Sequence, residues 1–361
     1  MFLPEASYFA LKHRFFTARK VPIVPEQVVL HEFVFGDQRP FASCHASTLV
    51  ILPDDEILVA WFGGSRESAG DVAIWMSRRT HGKWTPPTKV ADEEGIPHWN
   101  PVLFQDPDGT IFLFYKTGHR IKDWQTMVMT SKDNGHTWAG PQPLVEGDIG
   151  GRGPVKNKPI VLADGTWLAP ASIENDHWDA FVDISHDQGR TWTKSERVPL
   201  KRSSGQGSQV GLPQTAAADT LIRGKGVIQP TLWESKPGTV HMLLRSTEER
   251  IYRSDSHDGG RTWCTAYPLE LPNNNSGIDL VRMDSELLAL VYNPVGINWG
   301  PRSPLVLAVS SDNGVSWREE MVLEDGEGEY SYPAIVAQGE MVYLTYTWRR
   351  ARVAFWQIRL I

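Results

Sequence analysis

The sequence SKDNGHTW at Ser131–Trp138 returns as SHDQGRTW at Ser185–Trp192, SHDGGRTW at Ser256–Trp263 and SSDNGVSW at Ser310–Trp317. A worn copy, SRRTHGKW, begins at Ser77, so successive copies start 54, 54, 71 and 54 residues apart. A fixed interval of this kind marks a chain built from repeated units. Within S-x-D-x-G-x-T-W the aspartate can accept hydrogen bonds from the backbone of its own turn, the glycine permits positive φ, and the tryptophan plugs the gap between neighbouring sheets. One sheet needs one such turn, whereas an active site has no use for four. The octapeptide is therefore read as scaffold.

A second series keeps the same phase. Two apolar strands flank a turn signal six times, in LVILPDDEILVAWF, VLFQDPDGTIFLFY, IVLADGTWLAP, LWESKPGTVHMLL, LVRMDSELLALVY and IVAQGEMVYLTYTW. Each reads as a β-hairpin with Asp, Gly or Pro shaping the turn. Six hairpins, five of them followed by a further strand and an octapeptide, predict an all-β, six-bladed β-propeller in which radial repetition hides most sheet edges. The last unit has no octapeptide and ends in VAFWQIRLI, so HEFVFG near the N-terminus is expected to complete that sheet and close the ring. The whole chain, 1–361, is read as one propeller domain, with 1–30 as an N-terminal extension and about 195–226, inside the 71-residue interval, as an inserted loop.

Composition narrows the function. The formal net charge of −7 argues against a nucleic-acid or anionic-membrane binder, which needs a basic face. The opening residues have no uninterrupted apolar core after a basic start and no run of 18 apolar residues occurs, which makes the cytoplasm the default compartment. Two cysteines, Cys44 and Cys264, are too few for a disulfide framework or a cysteine metal site. No ligand spacing for zinc or calcium is present, and no cofactor is expected.

Function in a propeller collects where the innermost strands begin. The segments SCHASTLV, HWNPVLF, KNKPIVL, IQPTLW, NSGIDLV and SYPAIV precede or open the six hairpins, and four carry a polar or aromatic residue directly before proline. Superposed, they set His45, Asn100, Lys158, Gln229, Ser276 and Tyr332 around one mouth. Arg66, Arg245 and Arg302 fall near the same ring by topology. An acidic chain that gathers guanidinium groups and Lys158 at one place is suited to a carboxylate, which the planar fork of Arg matches.

The octapeptides resemble the BNR/Asp-box repeats of sialidase-like β-propellers, and the resemblance covers nearly the whole chain. It implies that Arg245 and Arg302 are two members of an arginine triad that grips a sugar carboxylate. Arg66 resembles the arginine beside the loop acid, Asp71 resembles that acid, and Tyr332 resembles the nucleophile. Two positions depart from the family pattern: CHAS of FASCHAST stands where the first triad arginine belongs, and Gln229 replaces the glutamate that assists the tyrosine. A phenol titrates near pH 10 and Gln is no base, so Tyr332 needs another route to activation. His45, with a reference pKa of about 6.5, offers proton transfer near neutrality.

Three readings follow. The first is a sialidase-like exo-glycosidase acting on a terminal acidic sugar, with Tyr332, His45 and Asp71 catalytic and Arg66, Arg245, Arg302, Gln229, Lys158 and Asn100 binding substrate. The second is a lyase that cleaves next to a uronic acid by β-elimination through His45 and Tyr332. The third is a non-catalytic glycan-binding propeller. Asp71, which elimination does not need, favours hydrolysis.

Overall fold

A computed structural model describes residues 27–203 and 221–360. Among these residues the chain is almost wholly β, with helix confined to the single turns Pro53–Asp55 and Ile121–Asp123. No helix among them is long and apolar enough to cross a membrane.

Six antiparallel sheets follow one another along the chain. The first blade holds Ser43–Ile51, Ile57–Gly64, Ala73–Thr80 and Lys83–Trp84, with Thr88–Ala91 as a fifth strand; the second holds His98–Gln105, Ile111–Thr117, Gln125–Ser131 and Ala139–Pro143. The third is built from Ile160–Val161, Trp167–Glu174, Trp178–Ser185 and Thr193–Lys194, and the fourth from Val227–Lys236, Thr239–Ser246, Arg250–Ser256 and Tyr267–Pro272. Asp279–Arg282, Leu288–Tyr292, Leu305–Ser310 and Arg318–Glu324 make the fifth. The sixth combines Tyr330–Gln338, Met341–Trp348 and Arg352–Arg359 with Val28–Phe33 from the other end of the chain. That closing strand pairs Val28 with Ile358 and Phe33 with Ala354. It starts three residues ahead of HEFVFG, inside the stretch read from sequence as an extension.

Side-chain alternation along each strand feeds two interfaces at once. On Ile57–Gly64, the side chains of Leu58, Ala60 and Phe62 join a cluster with the second blade, while Ile57, Val59 and Trp61 join one with the sixth. Because both faces are covered, all eight residues of this strand are buried. Comparable apolar clusters fill the other four gaps between neighbouring blades.

The four full octapeptides form one repeated turn. Asp133 accepts from Thr137 N at 2.9 Å and Thr137 Oγ1 at 2.6 Å, and Ser131 Oγ accepts from Gly135 N at 2.8 Å. The same bonds recur around Asp187, Asp258 and Asp312. Gly135 has φ 80°, and a Cβ there would lie 2.7 Å from Leu58 of the preceding blade, so glycine serves both the turn and the inter-blade contact. Trp192 and Trp263 bury in the gaps that each bounds. The worn copy at Ser77 differs: lacking the aspartate, it closes as a tight hairpin through His81 and Gly82, with φ 49° and 76°, the two positive angles of a type I′ turn.

Of the loop expected at about 195–226, residues 204–220 lie outside the described residues. Its flanks run side by side, with Ser203 N donating to Ile222 O and Ile222 N to Lys201 O.

Candidate functional site

Four innermost strands carry the same defect. Ala46, Asn100, Gln229 and Tyr332 have φ of 53°, 40°, 53° and 54°, and the pairing register slips at each. A bulge with a left-handed residue re-aims a side chain from the sheet toward the axis. At three of these places the following proline marked the position in the sequence. The first blade has no such proline, and there the bulge falls on Ala46, one residue beyond His45; in the fifth blade the left-handed residue is Asn275 (φ 60°) rather than Ser276.

His45 still reaches the centre. Its ring centroid lies 4.2 Å from that of Tyr332, and its Nδ1 is 2.8 Å from Thr347 Oγ1. Burial, reinforced by Arg350, Arg302, Lys156 and Arg245, holds the imidazole well below its ordinary titration range. Burial and the surrounding positive charge thus favour the neutral imidazole over one poised near neutrality, with Glu329 Oε1 4.0 Å from Nδ1 as the opposing charge.

Tyr332 lies between two guanidinium groups. The Arg245 and Arg302 carbons stand 5.7 and 5.4 Å from its ring centroid, and Arg245 Nη1 donates to Tyr332 Oη at 2.8 Å. Arg245 also donates to Gln229 Oε1 (3.1 Å), Asn275 Oδ1 (3.0 Å) and Asn275 O. Arg302 uses only Nη1, on Glu329 Oε1 at 2.6 Å and Ser331 Oγ at 3.4 Å. Its other nitrogens form no hydrogen bond with a described residue.

Several neighbours carried no signal in the sequence. Glu329 accepts from Arg302, from Ser331 Oγ at 2.8 Å and from Arg350 Nε at 2.8 Å. Burial alone would raise its carboxyl, but Arg302 and Arg350 outweigh that and hold it below the usual range. Arg350 stands on the turn before the last strand, and its carbonyl accepts from Cys44 N, next to His45. A half-buried carboxylate, Glu174, accepts from Gln229 Nε2 at 3.2 Å. Trp299, 63% exposed, and Trp178 lie 5.9 and 5.8 Å from the Arg245 guanidinium carbon. None of these five charged or aromatic positions sits at the strand entry where the repeat aligns the blades.

The remaining sequence candidates divide by place. Asp71 is exposed and accepts from Ser65 N and Ser65 Oγ, both at 2.9 Å, tying off the loop that follows Gly64. Arg66 on that loop is exposed and bonds to no described side chain. The loop meets the arginine cluster through Glu67, which accepts from Arg350 Nη1 at 2.6 Å. Asn100 and Lys158 turn inward: Asn100 Nδ2 donates to Val155 O at 3.0 Å, and Lys158 Nζ binds Asp279 at 2.9 Å. Trp99 and Trp124 are buried against each other with Val155 as inter-strand packing. Asn273 and Asn274 accept from Asn275 N and Ser276 N, shaping the turn that presents Asn275 to Arg245. Asn157 Nδ2 holds the carbonyls of Gln229 and Pro230. Among the described residues no three His, Cys, Asp or Glu side chains gather as a metal ion would require.

The sequence profile of the BNR repeat-like domain matches residues 55–344. The sialidase of Clostridium perfringens is 32% identical over 107 residues, 24% of this chain and 27% of its own length. That of Paraclostridium sordellii is 31% identical over 101 residues, 23% and 24% of the two lengths. The chain thus matches about a quarter of each of these relatives. Among solved structures, Hadza microbial sialidase Hz136 superposes with a TM-score of 0.73 at 17% identity, over 92% of this chain and 68% of that one. A protein of unknown function from Dyadobacter fermentans DSM 18053 gives 0.70 at 16%, over 94% and 100%. Trypanosoma rangeli sialidase gives 0.67 at 14%, over 88% and 55%. At these identities the likeness to the solved structures is one of fold.

Proposed function

The chain belongs to the BNR repeat-like domain family, and from that premise we propose that it is a carbohydrate-active enzyme, a sialidase-like exo-glycosidase that receives a terminal acidic sugar beside Tyr332. The observation that carries this reading is the pair of guanidinium groups on Tyr332, with Arg302 keeping nitrogens unbonded. An anion that displaces water there gains charge-assisted hydrogen bonds from preset donors. Arg350 adds a third guanidinium on the His45 side, where this chain lacks the first triad arginine of the family pattern. Trp299 offers an exposed ring face to the rest of the glycan. Asp71 is assigned as the acid, on a loop tethered to the cluster by Glu67, and Tyr332 as the group that meets the anomeric carbon.

One observation favours a second reading, β-elimination next to a uronic acid. A neutral imidazole in contact with the Tyr332 ring is already in the form that accepts a proton, and the arginines around it would neutralise the uronate whose C5 proton it removes. Product analysis separates the two. Acidic oligosaccharides incubated with the protein should release a saturated reducing sugar; ultraviolet absorbance from an unsaturated uronate would replace hydrolysis by elimination. Binding without either product would leave a glycan-binding propeller. Methyl esterification of the sugar carboxylate should abolish binding, and an ester bound as tightly as the acid would remove the arginine clamp.

A further inference from the structure

Arg245 is a cation with 3% exposure whose hydrogen-bond acceptors among the described residues are all uncharged: Asn275 Oδ1, Asn275 O, Gln229 Oε1 and Tyr332 Oη. A buried charge without a counter-charge is strongly unfavourable. The next member of its hydrogen-bond chain is charged. Gln229 gives its Oε1 to Arg245 and its Nε2 to Glu174 Oε1. With a cation on one side and a carboxylate on the other, the amide has one favourable orientation. Glu174 ends the second strand of the third blade, and Ser172 Oγ of that strand also donates to its Oε1, at 3.1 Å. Its second oxygen has no partner among the described residues.

We propose that Glu174 is a positioning residue that balances Arg245 through Gln229 while the site is empty and gives up that role to the carboxylate of the incoming sugar. The proposal rests on the reading that an acidic sugar binds beside Tyr332. Two anions sharing one guanidinium in a partly desolvated place repel each other, and the relief open to this site is protonation of Glu174. Burial already biases its carboxyl toward the protonated form, against the pull of Arg245, Gln229, Ser172 and Lys116. Those four groups, from the second, third and fourth blades, are the polar and charged neighbours that face it. Anion binding is then coupled to proton uptake.

Two measurements test this, one with ligand and one without. N-acetylneuraminic acid and D-glucuronic acid are titrated by calorimetry in buffers of different ionisation enthalpy. The anion that binds should take up about one proton, its affinity falling roughly tenfold per pH unit above the Glu174 midpoint. Glu174→Gln should bind with no uptake and no such slope; a wild-type slope in that variant overturns the proposal. In the ligand-free protein the Arg245 Nε–H resonance, identified by its loss in Arg245→Lys, should move with pH as Glu174 titrates. It should stand still in Glu174→Gln, and also in Gln229→Met, which breaks the link and leaves Glu174 in place. A resonance that ignores pH in the wild type refutes the link even if both sugars bind. Failure of both sugars to bind, with the resonance titrating, keeps the link and refutes the acidic-sugar reading instead.

Discussion

Tyr332 occupies a backbone conformation that costs a non-glycine residue about 1–3 kcal/mol, and the surrounding bonds show what holds it there. Lys156 Nζ, wholly buried, donates to Pro333 O, to Ile278 O at 3.0 Å and to Asn157 Oδ1 at 2.8 Å. A Cβ at Gly277 would stand 3.1 Å from Lys156 Cε and 3.3 Å from Tyr332 Cδ2, so that glycine lets both side chains close in. The ring is thus fixed from beneath, while its hydroxyl serves the site. Tyr332→Phe keeps the ring and loses one hydrogen bond, worth about 1 kcal/mol. Its Tm should barely move, while turnover of an acidic glycoside falls by about a hundredfold or more; full activity in a folded variant removes Tyr332 from either mechanism. His45→Ala divides the two chemistries. Loss of the neutral base should abolish elimination and only weaken hydrolysis, for which Asp71 is the proposed acid, and the two products report which step survives.

At the scale of the element, the octapeptide turns make a prediction about acid. Bonds from Thr191 Oγ1 and N, with help from Ser185, bring the Asp187 carboxyl down to about 2, and Ser316 does the same for Asp312. A carboxyl whose folded value lies below its unfolded value of 3.8 stabilises the fold fully above that unfolded value. The contribution is lost as pH falls toward 2. Asp187→Asn should lower Tm at neutral pH by about 1–3 °C, and the gap from wild type should close between pH 4 and pH 2; a gap independent of pH would show that charge has no part in the turn. The regularity of these turns is also why the blades could be read from the sequence. Each carries its chemistry in eight consecutive residues, and each hairpin repeats in phase. The site obeyed that logic only where proline marked a bulge, at Asn100, Gln229 and Tyr332. Ala46 and Asn275 have no proline after them, so the alignment slid by one residue. Glu174, Arg350 and Glu329 belong to strand ends and turns outside the repeat, and their roles come from partners distant in sequence: Gln229 is 55 residues from Glu174, and Glu67 is 283 from Arg350.

For the whole molecule, the ring makes the site depend on strands that never touch it. Tyr332 lies on the innermost strand of the sixth blade, and the outermost strand of that blade is Val28–Phe33. Between them run Met341–Trp348, which brings Thr347 to His45, and the turn that carries Arg350. Val28 and Phe33 pack against the cluster between the fifth and sixth blades, and Leu30 against the one between the sixth and first. A chain beginning at residue 34 would lose all three side chains and leave Arg352–Arg359 as an open edge, ready to pair with another molecule. Three partly buried apolar side chains amount to several kcal/mol, so its Tm should fall by about 5–10 °C relative to a chain beginning at Gln27, which keeps the strand. Sedimentation should show association of the shorter chain alone. Because the Arg350 turn opens that unpaired strand, amide exchange in the shorter chain should rise around Arg350 and Thr347 as well as along Arg352–Arg359; exchange confined to the edge would mean that the blades hold the site without help from closure.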